Sequence, residues 1–228
     1  DSLDLPFQTT VRVLSGVDEA KYEYASAIYC MKQCGYAASG MKIGLLSSGG
    51  MSSQVCLDDL TVSIDTEVKR GNSMGLEMGM EKAVMEFQAR VTSAVDAKLT
   101  NSGLRDEEHV MYLAIEMFAG VGEKAGMKGL RGLTAKTALK KLRLFVEKAI
   151  QDDKDANEED ERTWRTYVHV MTGLMASAVL EHLHPNAEVL FLREFEAEQV
   201  ESGGVMQSVG KELQDSLKPS WSLGYAIE

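Results

Sequence analysis

Thr163–Leu183, TWRTYVHVMTGLMASAVLEHL, is the stretch on which the reading of the fold turns. Trp164, Val168, Met171, Met175, Ala178 and His182 recur at alternating spacings of four and three, a heptad-like stripe by which one helix packs lengthwise against another. The stripe is too short for an extended coiled coil, and Pro185 stops it. It predicts the central helix of a bundle.

Working outward, apolar spacing and stop signals predict four more helices. Leu76–Leu99 ends at Asn101-Ser102-Gly103, and Asp106–Val121 runs into a stretch holding Gly122, Gly126, Gly129 and Gly132. Thr134–Ile150 starts at a residue able to cap it. Glu188–Gln199 breaks at Gly203-Gly204 and resumes to Leu217. The first 70 residues have another texture. Gln8–Leu14 alternates around β-branched residues and reads as a strand, and Val17–Gln33 reads as a helix with Asp18 and Glu19 in its first turn. Met41–Leu46 and Leu57–Val68 are strand-like, with the loop Ser47–Gln54 between them. The expected fold is therefore mainly α, a bundle of about five helices with a small strand-containing N-terminal portion. One domain over 1–228 is expected: a mixed portion over 1–70, a helical portion over 71–217, and a tail over 218–228 carrying Trp221 and Tyr225.

The totals suit a folded globular chain: 228 residues, 44% hydrophobic, 26% charged and only 3 Pro. No run approaches the roughly 20 apolar residues of a membrane span. No basic-then-apolar leader is visible, and a start at Asp1 reads as a processed product, a polyprotein piece or a trimmed chain. Cys30, Cys34 and Cys56 lack Cys-x-x-Cys spacing and read as buried thiols of a reducing, intracellular compartment. The 13 Met mostly sit at helical spacing among apolar neighbours, which assigns them to the core.

Charge is distributed unevenly. Residues 121–148 carry eight basic and two acidic side chains inside a chain of net −11. Lys136, Lys140 and Arg143 form a ridge at i, i+4 and i+7 beside the apolar stripe Leu139, Leu142, Val146 and Ala149. Lys141 adjoins the ridge, and Lys124, Lys128 and Arg131 lie on the glycine-rich loop before it. Such a ridge can meet phosphates in a salt-sensitive way, an acidic protein partner, or the acidic link Asp152–Glu161 of this chain or another copy. No aromatic residue between Gly122 and Leu144 is available to stack bases.

Two other patterns carry chemistry. Glu181-x-x-His184 and Asp106-x-x-His109, with Glu81, Glu86, Glu116 and Glu147, are the residue types of a bundle di-metal site, although both pairs fall near predicted helix ends. Ser48-Gly49-Gly50-Met51-Ser52-Ser53 resembles the Ser-Gly-Gly-x-Asp-Ser phosphate loop of the ATP pyrophosphatase (PP-loop) family over six residues. Ser52 stands where that family has Asp, and strand rather than helix follows, so a surface hairpin loop is the expected structure. A nucleotide-binding enzyme built on residues 47–53 is the reading that the resemblance implies.

Taken together, these features predict a non-catalytic assembly or binding protein, with no enzymatic activity and no cofactor. It would be a homo-oligomer with a coat-like role. Its basic ridge (Lys124, Lys128, Arg131, Lys136, Lys140, Lys141 and Arg143) would contact an acidic subunit, another copy of itself or nucleic acid. The alternative is a carboxylate/histidine metal-dependent enzyme of the helical-bundle class.

Overall fold

The computed structural model describes residues 14–33, 40–154 and 162–193. The element order is α1 (Gly16–Gln33), β1 (Lys42–Ser48), β2 (Ser52–Leu57), β3 (Leu60–Asp65), α2 (Val68–Met78) and α3 (Met80–Leu99). After a short 3-10 turn at Leu104–Asp106 come β4 (Val110–Ala114), α4 (Glu116–Lys124), α5 (Ala135–Lys154), α6 (Arg162–Leu180) and β5 (Glu188–Phe191). The strands form one mixed sheet in the order β3-β2-β1-β4-β5. β1, β2 and β3 are an antiparallel meander, while β4 and β5 run parallel to β1.

The sheet corrects the expected helical bundle. Its faces are covered unequally. On one side, Leu45, Cys56, Met111, Leu113, Leu190 and Leu192 pack under Ala20, Ala27, Cys30 and Met31 of α1. On the other, Leu46, Val55, Tyr112, Ala114, Val189 and Phe191 join the larger core under the remaining helices. Alternate residues of β4 and β5 thus enter different cores. All five residues of β4 are buried, and a strand buried on both faces has no polar/apolar alternation to betray it. That is why Val110–Ala114 and Glu188–Phe191 read as helix in the sequence.

α6 occupies the centre of the helical layer, packed against α2, α3, α4 and α5. Its heptad-like stripe reports real lengthwise packing, but within one layer over a sheet. Gly173 lets α5 approach closely, since a Cβ there would stand 2.9 Å from Val146. The long predicted helix 76–99 is two helices broken at Gly79, whose φ of 83° is open to glycine and strained for other residues. On α5, Leu142, Val146 and Ala149 are buried as their spacing requires. Thr134 caps the helix by accepting the Thr137 amide at 3.2 Å.

Cys30 and Cys56 are buried. The strand at Gln8–Leu14 (all but its last residue), Cys34, most of the acidic link, the helix beyond Arg193 and the aromatic tail lie outside the described residues. No helix among the described residues is long and apolar enough to cross a membrane.

Candidate active site

The parallel strands β1, β4 and β5 end at one edge of the sheet, the edge at which open α/β sheets offer ligand sites. Three connections converge there: the β1–β2 turn, Thr66-Glu67 between β3 and α2, and Ile115 between β4 and α4. Backbone hydrogen bonds tie them together. Gly49 N donates to Ser52 O (2.9 Å), Thr66 N and Glu67 N both donate to Met51 O (3.0 and 3.2 Å), and Ile115 N donates to Leu46 O (2.9 Å).

This corner buries polar groups that the fold does not fully pair. Glu23, Ser47, Ser48, Ser53, Gln54 and Thr66 are six of the ten buried polar residues among those described. Ser53 Oγ donates to Ser48 Oγ at 2.7 Å. In contrast, Thr66 Oγ1 has no hydrogen-bond partner among the described residues, and Glu23 Oε2 and Ser47 Oγ make none of ordinary geometry, although the Ser47 hydroxyl lies close enough to the Glu23 carboxyl to favour its charged form. Each such atom costs about 1–3 kcal/mol, so clustering at a strand edge points to a ligand rather than to stability. Two non-glycine residues with positive φ, Glu67 (46°) and Glu116 (55°), flank the same corner. Backbone strain of that kind gathers where function demands it.

α1 supplies the acids. Glu19 and Glu23 are one turn apart and share a face. The Gln54 side-chain amide donates to Glu19 Oε2 (3.3 Å) and to Ser52 Oγ (3.0 Å), linking a half-buried carboxylate to a hydroxyl at the mouth of the turn. Deeper in, burial pushes Glu23 up to about 7; Ser47 beside it pulls it down, and the charges of Glu19 and Glu116 raise it further. The turn itself is open: a Cβ on Gly49 would find its nearest atom, Ser52 O, at 3.8 Å. A carboxylate held by an amide can take a proton from water, and the hydroxyls beside the open Gly49-Gly50 turn can donate hydrogen bonds to an oxyanion.

The predicted basic ridge lies elsewhere. α5 begins at the opposite edge of the sheet, where Ala135 N and Lys136 N donate to Ala187 O and Pro185 O just before β5. Lys136 and Lys140 are exposed, Lys141 is half-buried, and Arg143 pairs with Glu181. Arg131 is exposed in the loop before α5, Lys128 bridges to Phe191, and Lys124 closes α4. None of these seven residues belongs to the turn.

The predicted metal ligands are also dispersed. Glu181 is engaged by Arg143 and, through its carbonyl, by Arg105; His184 Nδ1 accepts the Asn186 amide; His182 is buried against Asp96 at 2.8 Å. Among the described residues, no three His, Cys, Asp or Glu side chains gather as a metal ion requires. Sequence reading took Glu19 only as a helix-dipole residue and missed its partnership with Glu23 and Gln54. The available signals were the i, i+4 acids and the hydroxyl density of Ser47–Ser53.

No protein-family model matches this chain, and no curated protein matches it by sequence. Solved structures do match by shape. The chain is similar to the PPX-GPPA enzyme of Aquifex aeolicus (12% identity, TM-score 0.52), covering 78% of this chain and 60% of that one. It is also similar to an exopolyphosphatase-like protein (11% identity, TM-score 0.56), covering 94% and 66%. The chain therefore spans roughly three fifths to two thirds of the length of the structures it matches. At such identities the likeness establishes the fold, a mixed α/β sheet shared with Ppx/GppA proteins. These neighbours overturn the expectation of a non-catalytic, coat-like structural protein without enzymatic activity. The basic ridge on which that role rested lies apart from the buried polar corner, and a protein that shares the actual fold is named as an enzyme.

Proposed function

We propose that this chain is a phosphoryl-group hydrolase, or the part of one that holds its reactive centre, acting at the Ser47–Gln54 turn. The observation that carries the reading is the Gln54 side chain joining Glu19 to Ser52 beside Gly49 at the strand-end edge of the sheet. The names of the structural neighbours, a phosphatase family and an exopolyphosphatase-like protein, support the same class of reaction.

In this reading Glu19 takes a proton from water, the water oxygen bonds to phosphorus, and the bond from phosphorus to the leaving oxygen breaks. The Gln54 amide keeps the Glu19 carboxylate turned toward that water. Ser52 and the Ser48–Ser53 hydroxyl pair offer hydrogen bonds to the phosphoryl oxygens, with the glycine turn allowing close approach. Glu19, Glu23 and Glu116 together repel an unneutralised phosphate, so a divalent cation would arrive with the substrate.

Phosphate release from pyrophosphate, tripolyphosphate and p-nitrophenyl phosphate, with and without magnesium chloride, tests the proposal. Turnover of at least one substrate that depends on the protein is expected. Release from none of them at high protein concentration would contradict it.

A further inference from the structure

The smaller core extends further across the sheet than the helix described over it. Its strand residues run from Cys56 of β2 through Leu45 and Leu113 to Leu190 and Leu192 at the β5 edge. Among the described residues, its helical members all come from α1, and α1 rests on β1, β2 and β3. β4 and β5 lie beyond those strands in the sheet. Even so, Leu113 and Leu190 are shielded from solvent, at 0% and 1% exposure. Parallel strands of this kind are stable when both of their faces are covered. A second cover therefore lies over β4 and β5 on the α1 side.

Four stretches of the chain lie outside the described residues: 1–13, 34–39, 155–161 and 194–228. Residues 1–13 lead into α1 where Gly16 abuts Ser63 of β3. β3 is the opposite edge of the sheet, four strand spacings from β5, or about 19 Å. Residues 34–39 only join α1 to β1, and 155–161 join α5 to α6, whose buried residues belong to the larger core on the other face. Residues 194–228 follow directly on β5. Within them Val205, Met206, Val209, Leu213 and Leu217 fall on one side of a 3.6-residue period, while Gln207, Lys211, Gln214 and Asp215 fall on the other. Residues 205–217 would make about 18 Å of helix, close to the length of a five-residue strand such as β4, about 17 Å. Residues 194–204 are long enough to turn the chain back, and they end in Gly203-Gly204.

We infer that residues 205–217 cover the β4–β5 half of the α1 face, their apolar stripe seated on Leu113, Leu190 and Leu192. The inference is independent of the phosphoryl-hydrolase reading. It makes this segment part of the domain that carries the Ser47–Gln54 turn, and it closes the face to a second copy of the chain.

Photo-crosslinking from Leu213→p-benzoylphenylalanine, in the whole 228-residue chain, tests it. Mass spectrometry is expected to find the link within one chain, on the peptides that carry residues 110–114 or 188–193. Capture on α3, α5 or α6, capture between two chains, or no capture would each overturn the cover. Paired substitutions give a second readout, in a Cys34→Ser background so that Cys30 and Cys56 of the smaller core report. Val209→Asp with Leu213→Asp should lower Tm by at least about 5 °C and speed thiol labelling of these two cysteines at least about tenfold. Gln207→Asp with Gln214→Asp adds the same charge on the other side of the stripe and should change neither. Equal effects of the two pairs would overturn the inference.

Discussion

The β1–β2 corner and the α5–α6 layer obey opposite rules. In the helical layer, apolar residues such as Leu142, Val146, Met171 and Met175 are buried and the basic ridge faces outward. Charge there finds solvent or an exposed partner, as Arg143 finds Glu181. At the corner, carboxyl, hydroxyl and amide groups are buried, and several of their atoms lack a hydrogen bond of ordinary geometry among the described residues. A surface ridge of charge is compatible with any soluble protein. A buried corner of unpaired polar groups costs stability, and is the stronger sign of chemistry.

This contrast can be broken by substitution. Gln54→Leu should reduce kcat by about 10²-fold, the usual loss when one preorganised donor is removed, with circular dichroism unchanged. A kcat within threefold of the unsubstituted protein would show that the amide does not position the acid. Next in size is the pH dependence that Glu23 imposes. Its folded-state pKa of about 7 lies above the ordinary 4.5, so between these values the folded protein holds a proton that the unfolded chain releases. Stability therefore falls as pH rises through that window, by roughly 3 kcal/mol in total. Glu23→Gln should flatten the slope and raise Tm at pH 8; a slope that survives the substitution would place its origin in another group.

Gly44→Ala probes the sheet that sequence reading missed. Its Cβ would stand 2.4 Å from the Tyr112 ring and 3.1 Å from the Cys56 carbonyl, across the β1–β4 and β1–β2 pairings. Overpacking of this kind costs about 1–3 kcal/mol, readable as a Tm several degrees lower. The smallest effect belongs to the ridge. Arg143→Ala removes an exposed pair with Glu181 and should shift stability by less than about 1 kcal/mol, measured by urea titration.

Parts of this molecule were legible in the sequence because their signal is local. The α1 helix, the β1 strand, the Thr134 cap and the buried stripe of α5 follow from spacing and capping chemistry within one segment. The turn at Asp58-Asp59, where Asp58 has φ 50°, falls inside what reads as one strand over Leu57–Val68: β3 occupies Leu60–Asp65, while β2 (Ser52–Leu57) lies before the turn and begins within the expected loop. β4 and β5 were not legible because burial on both faces removes the alternation that marks a strand. The six residues Ser48–Ser53 were visible as a phosphate-loop-like pattern, but their acidic partners come from α1, upstream of the turn. Only the sheet brings Glu19 and Gln54 within 3.3 Å, because β2 packs against α1. Charge density drew attention to residues 121–148, whereas the groups that matter at the corner are few, mostly neutral and buried.

The most direct test compares kcat/KM, on whichever phosphate substrate is turned over, for two proteins: Glu19→Gln, and Lys140→Glu with Arg143→Glu. If the chemistry resides at the β1–β2 corner, the first falls at least about 100-fold and the second stays within about twofold of the unsubstituted protein. Loss of activity in the ridge variant with full activity in Glu19→Gln would contradict the account.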